Sequence, residues 1–248
     1  MKNIVLAAGY ATRLFPLTEN FPKPLLEIGG KTILDRLLED IDQQAEIDEH
    51  IIVTNHKFID IFKKWSLQKN YSKKLTLLDD GSTNNENRLG AVKDLMLAID
   101  TLNLYQEDLM VMAADNLVDF SFRGFIDAFR KTKTSMILCY NEPDLKALQR
   151  TGVIVVDSQN FEQDPTIYKV ISMSEKPLVP PSNWAVPPFY IYKKDDLAKI
   201  YECINEGINT DAPGSLVQIM LEKTIFYSLE MSGKRIDIGT IEQYKTLS

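Results

Sequence analysis

The stretch "LAAGYATRLFPLTENFPKPLL", Leu6 to Leu26, decides how this chain is read. It opens on an apolar strand and breaks at Gly9. Thr12, Arg13 and Lys23 follow on proline-studded chain. A residue without a Cβ lets the backbone turn and a ligand come close. Successive N–H groups after such a turn form an anion-binding concavity. Arg13 offers a planar fork for phosphate oxygens. Lys23 stands between Pro22 and Pro24, which disfavour helix and imply a stiff extended loop. The stretch is an expected anion site. It carries neither the GxGxxG of a dinucleotide fold nor the GxxxxGK[ST] of a P-loop.

Outward from this stretch, strands and amphipathic helices alternate. "NIVLAA", "HIIVTN", "LTLLDD", "LMVMAAD" and "SMILCY" are short apolar runs, read as strands. Between them, "TILDRLLEDIDQQ", "FIDIFKKWSLQ", "LGAVKDLMLAIDTL" and "FRGFIDAFRKT" carry helical spacing. This rhythm predicts an α/β fold: a mostly parallel twisted sheet with helices on both faces, Rossmann-like. Ligands bind such sheets at the carboxyl ends of the strands. The loop from Gly9 and Asp115 both sit at such ends. After about residue 150 the pattern changes. "GVIVVD", "YKVISMSE", "PFYIYKK" and "IFYSLEM" read as strands, with one helix in "DDLAKIYECINEG". A smaller mixed C-terminal lobe is expected, continuous with the first half, because no linker separates them.

Apolar residues make up 44% of the chain and charged residues 25%, as in ordinary globular proteins. The net charge of −7 opposes general nucleic-acid binding. No apolar run approaches membrane-spanning length, and Ile4 to Ala8 is too short for a signal peptide core. A cytoplasmic protein is expected, with no nucleic-acid or membrane partner. Cys139 and Cys203 are far apart and read as buried free thiols. His50 and His56 flank a strand and read as solvated strand-end residues. Trp65 reads as core.

The opening stretch resembles the signature of the nucleotidyltransferases that make activated sugars, L-A-[AG]-G-x-G-T-R-L-x-P-L-T followed by P-K-x-L. The departure is Ala11 for the second glycine. The resemblance continues in order along the chain. "NRLGAVKDL" is similar to the segment along base and sugar, "VMAADN" to the strand end with the first metal-binding aspartate, "MSEKPLVPP" to the E-K-P segment, and "RIDIGTIEQY" to the D-I-G-T close. The resemblance implies one nucleotidyltransferase domain over 1–248, of GT-A-like fold. Residues to about 150 would bind nucleotide and those from about 151 the acceptor.

The implied reaction joins a nucleoside triphosphate to a phosphorylated small molecule, a sugar 1-phosphate, with release of pyrophosphate. The nucleophile is already an anion, so catalysis rests on positioning and charge neutralisation. Arg13 would stabilise the leaving pyrophosphate, Lys23 the triphosphate near its α-phosphate, and Lys176 the attacking phosphate. Asp115 and Asp237 would hold Mg²⁺. Leu6, Ala8, Gly9, Thr12, Gly90 and Asn85 would line the nucleotide, the last from the polar loop "GSTNNENR" with Thr83 and Asn84. Glu175 would meet the acceptor beside Lys176. Asn116 reads as a turn residue. Trp184 and Phe189 either line the acceptor site or simply pack. A homo-oligomer is compatible with the resemblance.

Two other readings share these residues. One is a cytidylyltransferase for phosphocholine or an aminoalkyl phosphonate, which needs an aromatic box from Tyr140, Trp184, Phe189 and Tyr190. The other is a nucleotide-binding regulatory module without catalysis. Ala11, and Ala114 where the family often has glycine before the aspartate, bear on the latter. A left-handed alanine costs about 1–2 kcal/mol, so Ala11 is expected at negative φ. A left-handed Ala11 would reopen the regulatory reading.

Overall fold

The computed structural model describes residues 1–207 and 209–247. Its elements run β1 (Lys2–Leu6), the small hairpin β2 (Glu27–Ile28) and β3 (Lys31–Thr32), α1 (Ile33–Asp42), β4 (Glu49–Thr54), α2 (Ile59–Ser66), β5 (Lys74–Asp79), α3 (Ala91–Leu102), β6 (Leu109–Ala113), β7 (Asn116–Val118), α4 (Arg123–Thr132), β8 (Ser135–Asn141) and α5 (Leu145–Leu148). The second half adds β9 (Gly152–Asn160), β10 (Ile167–Glu175), β11 (Trp184–Val186), β12 (Phe189–Tyr192), α6 (Leu197–Asn205), α7 (Pro213–Met220), β13 (Phe226–Glu230), β14 (Arg235–Asp237) and α8 (Ile241–Leu247).

Ten strands form one sheet in the order β11-β9-β10-β13-β8-β12-β6-β1-β4-β5. Strands β6, β1, β4 and β5 are mutually parallel, and β8 pairs in parallel with β13. The remaining pairings are antiparallel. Strand β12 inserts between β6 and β8 and so sews the C-terminal half into the sheet of the first. That half therefore interleaves with the first at β12 and β8 and extends the sheet beyond β8.

Alternate residues of each central strand enter opposite cores, as the period of two requires. Ile4, Ile51, Val53, Leu109 and Val111 face α3, α6 and α7. Val5, Ile52, Met110 and Met112 face α1, α2 and α4. Helix α1 shows why these segments fold as they do. Leu34, Leu37, Leu38 and Ile41 fall on one buried face, and Thr32 caps its start by accepting from the Asp35 N–H at 3.0 Å. Cys139 and Cys203 are buried free thiols. Among the described residues, no helix is long and apolar enough to cross a membrane.

His50 differs from its sequence reading. It is 0% exposed, held between Asn3 at 3.1 Å and Asp42 at 3.2 Å. Strand β4 is buried along its whole length, including the end expected to meet solvent. Burial pushes its imidazole below the usual range, and Asp42 opposes this only in part. His56 is exposed and paired with Asp79 at 2.7 Å. Trp65 is core, with its indole N–H on Asp35.

Candidate active site

Strands β1 and β6 deliver their carboxyl ends side by side, with Leu6 opposite Ala113. The Ala114 N–H donates to the Leu6 carbonyl at 3.2 Å, which anchors the Asp115 turn against the opening loop. Immediately after, β7 pairs with β14 in a short antiparallel ribbon, and Asn116 stands opposite Asp237. This ribbon brings Asp115 and Asp237 to one place.

Lys23 closes the arrangement. Its Nζ donates to Asp115 Oδ2 at 2.8 Å and lies 3.5 Å from Asp237 Oδ1. Lys23 is 6% exposed, whereas both carboxylates are substantially open. It opens a 3-10 turn, Lys23–Leu25, and not the extended loop its prolines suggested. Pro22 is extended and Pro24 sits at an early helical position that needs no N–H donor.

Two cavities meet at this pair. A small one, about 240 Å³, is lined by Leu6, Gly9, Ala11, Arg13, Lys23 and Asp115, among others. A larger one, about 740 Å³, is lined by Arg13, Lys176, Arg235, Asp237, Thr151 and Gln243, among others. Arg13 borders both. A Cβ on Gly9 would meet nothing within 4 Å, so that glycine leaves open space beside the loop. Ala8 is buried, and its carbonyl accepts from Asn55 Nδ2 at 3.0 Å. Thr12 is exposed at the start of a 3-10 turn.

Ala11 is left-handed, at φ 45 and ψ 43, contrary to the negative φ expected. Its carbonyl accepts from Thr18 Oγ1 at 2.8 Å and from the Leu14 N–H at 2.9 Å. These bonds impose the turn a glycine would take without strain. The methyl packs against the apolar cluster of Leu14, Leu26, Ile28, Ile33 and Ile238.

On the acceptor side, Lys176 is left-handed at φ 48 and places its ammonium 3.8 Å from Glu175 Oε1. Glu175 turns inward. A Cβ on Gly214 would lie 2.0 Å from its Oε2, and one on Gly152 3.3 Å. Both glycines thus make room for this carboxylate, whose pKa burial raises. Gly90, at φ 91, begins α3, and its Cα faces the Thr210 carbonyl and Asp211. In the polar loop, Asn84 and Asn87 bind backbone N–H groups of the loop itself, and Asn85 is exposed with its carbonyl on Arg88. Trp184 packs on Tyr168 at 5.4 Å between ring centroids, and Phe189 is fully buried.

Sequence reasoning missed two residues. Asn116 is not a turn residue. It is 1% exposed, donates to Asp115 Oδ1 at 2.8 Å and accepts from Arg235 Nη1 at 2.6 Å. Arg235 also lies over Tyr140, 5.6 Å from its ring centroid. Their positions beside the two aspartates, one step after Asp115 and two before Asp237, were the available signal.

Asp115 and Asp237 converge on one cationic nitrogen, so their oxygens already point at a shared positive charge. Among the described residues no group of three or more metal-binding side chains occurs. Two hard carboxylates suit Mg²⁺, which takes few protein ligands and completes its shell with water and phosphate oxygens. The residues fit that ion.

The crevice lies at the carboxyl edge of the sheet, where folds of this kind bind their ligands. The family model for nucleotidyl transferases matches residues 2–248, and the chain belongs to that family, with the sugar-phosphate nucleotidyltransferases among its relatives. It is 27% identical to a glucose-1-phosphate adenylyltransferase of Fervidobacterium nodosum, over 98% of this chain and 60% of the relative. It is 27% identical to a UTP–glucose-1-phosphate uridylyltransferase of Haloferax volcanii, over 96% of this chain and 91% of the relative. The chain spans 51% to 61% of the length of several other curated relatives. A UDP-glucose pyrophosphorylase solved with UDP-glucose superposes with a TM-score of 0.80 at 21% identity, covering 99% of this chain and 96% of that one. That likeness establishes the fold.

Proposed function

We propose that this protein is a Mg²⁺-dependent sugar-1-phosphate nucleotidyltransferase. The observation that carries the reading is the meeting of Lys23, Asp115 and Asp237. They are 92 and 214 residues apart and lie at the rim shared by two cavities. The small cavity takes the triphosphate and the large one the acceptor. The half to about residue 150 supplies the first, and the remainder most of the second.

In this reading a phosphate oxygen of the acceptor attacks the α-phosphorus. The α–β bridging bond breaks and its electron pair leaves with pyrophosphate. Arg13, on the border of both cavities, offsets charge growing on the leaving group. Lys23 gives its ammonium to the triphosphate, and Lys176 holds the attacking phosphate. Asp115 and Asp237 hold the Mg²⁺, which supplies charge neutralisation and a template for in-line displacement. Gly9, Leu6, Ala8 and Thr12 shape the nucleotide loop. Asn85 meets the nucleotide and Glu175 the acceptor, as the resemblance implies; Gly90, given a nucleotide contact by that resemblance, packs instead against Thr210 and Asp211 at the start of α3.

The cytidylyltransferase alternative loses its support. The proposed aromatic box does not converge: Phe189 is buried, Tyr190 stacks on Tyr192, and Tyr140 already carries Arg235. A quaternary amine would also enter a cavity lined by cations. The left-handed Ala11 reopens the regulatory reading. Against it stand five charged positions brought to one crevice and the turn kept in the form glycine would give it.

The test is direct. The protein is incubated with Mg²⁺, each nucleoside triphosphate and a panel of sugar 1-phosphates, and pyrophosphate release is followed. Release with at least one pair is expected. Silence across the panel, with nucleotide binding intact by calorimetry, would instead select the regulatory reading.

A further inference from the structure

The larger cavity holds more positive charge than the reaction consumes. Arg13, Arg150, Lys176 and Arg235 line it, against the single carboxylate of Asp237. That carboxylate is turned to Lys23. The protein as a whole has a net charge of −7, so this concentration of cations is not a reflection of a basic chain.

Arg13 and Lys176 have phosphates to meet. Arg150 and Arg235 do not. The Arg150 side chain makes no hydrogen bond or ion pair among the described residues. Arg235 is fixed in place, yet its partners are all neutral: Asn116 Oδ1, the Tyr140 hydroxyl at 3.5 Å and the Tyr140 ring. Its Nε is buried with no acceptor. A half-buried guanidinium without a countercharge is costly, and the hydroxyls of a neutral hexose do not supply one. A carboxylate or phosphate matches the guanidinium fork. Arg235 also lines an adjoining cavity of about 460 Å³, where Glu142, Glu230 and Asp237 stand with Lys234. An anion is therefore drawn to the Lys176 side.

We infer that the acceptor bears a second anionic group besides its reacting phosphate, held by Arg235 and Arg150. This rests on the nucleotidyltransferase reading and narrows its substrate class to acidic or doubly phosphorylated sugar phosphates.

The experiment compares matched acceptors in the gluco, galacto and manno series: each hexose 1-phosphate, its uronic acid 1-phosphate and its 1,6-bisphosphate. All four nucleoside triphosphates and Mg²⁺ are present, and kcat/KM is read from pyrophosphate release. A charged acceptor is expected to exceed its neutral counterpart roughly tenfold or more, the scale of a charge-assisted hydrogen bond. The uronate and bisphosphate arms tell which anion is read. Arg235→Gln and Arg150→Gln are each expected to shrink that preference. Arg150, on the surface away from Asn116, covers the case in which Arg235→Gln disturbs the aspartates. Neutral acceptors used as well as charged ones, or a preference untouched by both variants, overturns the inference alone. Release from no member of the panel overturns the nucleotidyltransferase reading and this inference together.

Discussion

Asn116 donates from Nδ2 to Asp115 Oδ1 at 2.8 Å while its own Oδ1 accepts from Arg235. A neutral amide thus links the turn that carries one aspartate to the strand that carries the other. Lys23 holds the opposite oxygen of Asp115. The carboxylate is fixed on both sides before any ligand arrives. Asn116→Ala removes one of these restraints and leaves Asp115 and Arg235 without a shared partner. Metal affinity and turnover are each expected to fall about 10- to 100-fold, the usual effect of losing a group that orients a ligand. Manganese titration by electron paramagnetic resonance, with the steady-state assay, checks both. Unchanged metal affinity would leave Asn116 a structural residue only.

Lys23 gives a prediction of two opposite signs. Its ammonium now occupies the charge focus between Asp115 and Asp237. Lys23→Met keeps the buried stem and removes the charge. Without nucleotide, Mn²⁺ is expected to bind more tightly, because a competing cation has gone. With nucleotide, kcat is expected to drop by about 10²–10³, the effect of deleting one strong electrostatic stabiliser. Calorimetry for the first and pyrophosphate release for the second decide it. A fall in both would mean that the substitution only damaged the site.

How far the sequence carried depended on distance along the chain. The parallel core was legible because β1, β4 and β6 are apolar runs, and because α1 and α4 repeat leucine and phenylalanine at helical spacing. Lys23 and Asp115 stood out locally, as a cation between prolines and an aspartate at a strand end, but their roles, and Asp237 altogether, came only through a resemblance. The ribbon of β7 and β14 was not, since each strand has only three residues and pairing gives such segments their form. Arg235 and Asn116 are 119 residues apart, so neither showed what it would touch. Helix α7, Pro213–Met220, was not read from the sequence, since it carries a proline and a glycine in its first turn. The proline opens the helix, and the glycine is there for Glu175. His50 failed for a related reason: its solvent was removed by Asn3 and Asp42, which come from other elements.

Ala11 tests whether the strain in the loop is real. At φ 45 its Cβ costs about 1–2 kcal/mol relative to glycine. Glycine in turn loses about 0.4–1 kcal/mol through the greater freedom of the unfolded chain. Ala11→Gly also gives up the methyl's packing on the Leu14 cluster, at most about 0.8 kcal/mol, so it is expected between about 1 kcal/mol less and about 1.5 kcal/mol more stable than the parent. It also removes a methyl from the wall of the small cavity, so triphosphate binding should tighten or hold. Urea denaturation and nucleotide calorimetry read the two effects. A loss of stability beyond about 1 kcal/mol would contradict a left-handed Ala11, because only a right-handed or extended alanine has that much to lose.

Asp94 sets a pH dependence. It lies in the first turn of α3, 5% exposed, with Oδ1 lacking a partner. Burial, with a smaller push from Asp80, raises its carboxyl to about 7. In the unfolded chain an aspartate titrates near 3.9. The folded state thus keeps a proton that the unfolded state gives up. The stability tied to the neutral carboxyl is complete below about pH 4 and is lost as pH rises to about 7. Asp94→Asn cannot titrate. Relative to the parent, it is expected to gain about 1–3 kcal/mol between pH 5 and pH 8, less than the full shift implies because the folded state relaxes. His50, whose pKa is lowered by burial, costs stability as pH falls below about 6.5 in both proteins, and so cancels in the difference. Urea denaturation of parent and variant at pH 5, 6, 7 and 8 measures it. A difference that stays flat across that range would show that Asp94 is already charged in the folded protein.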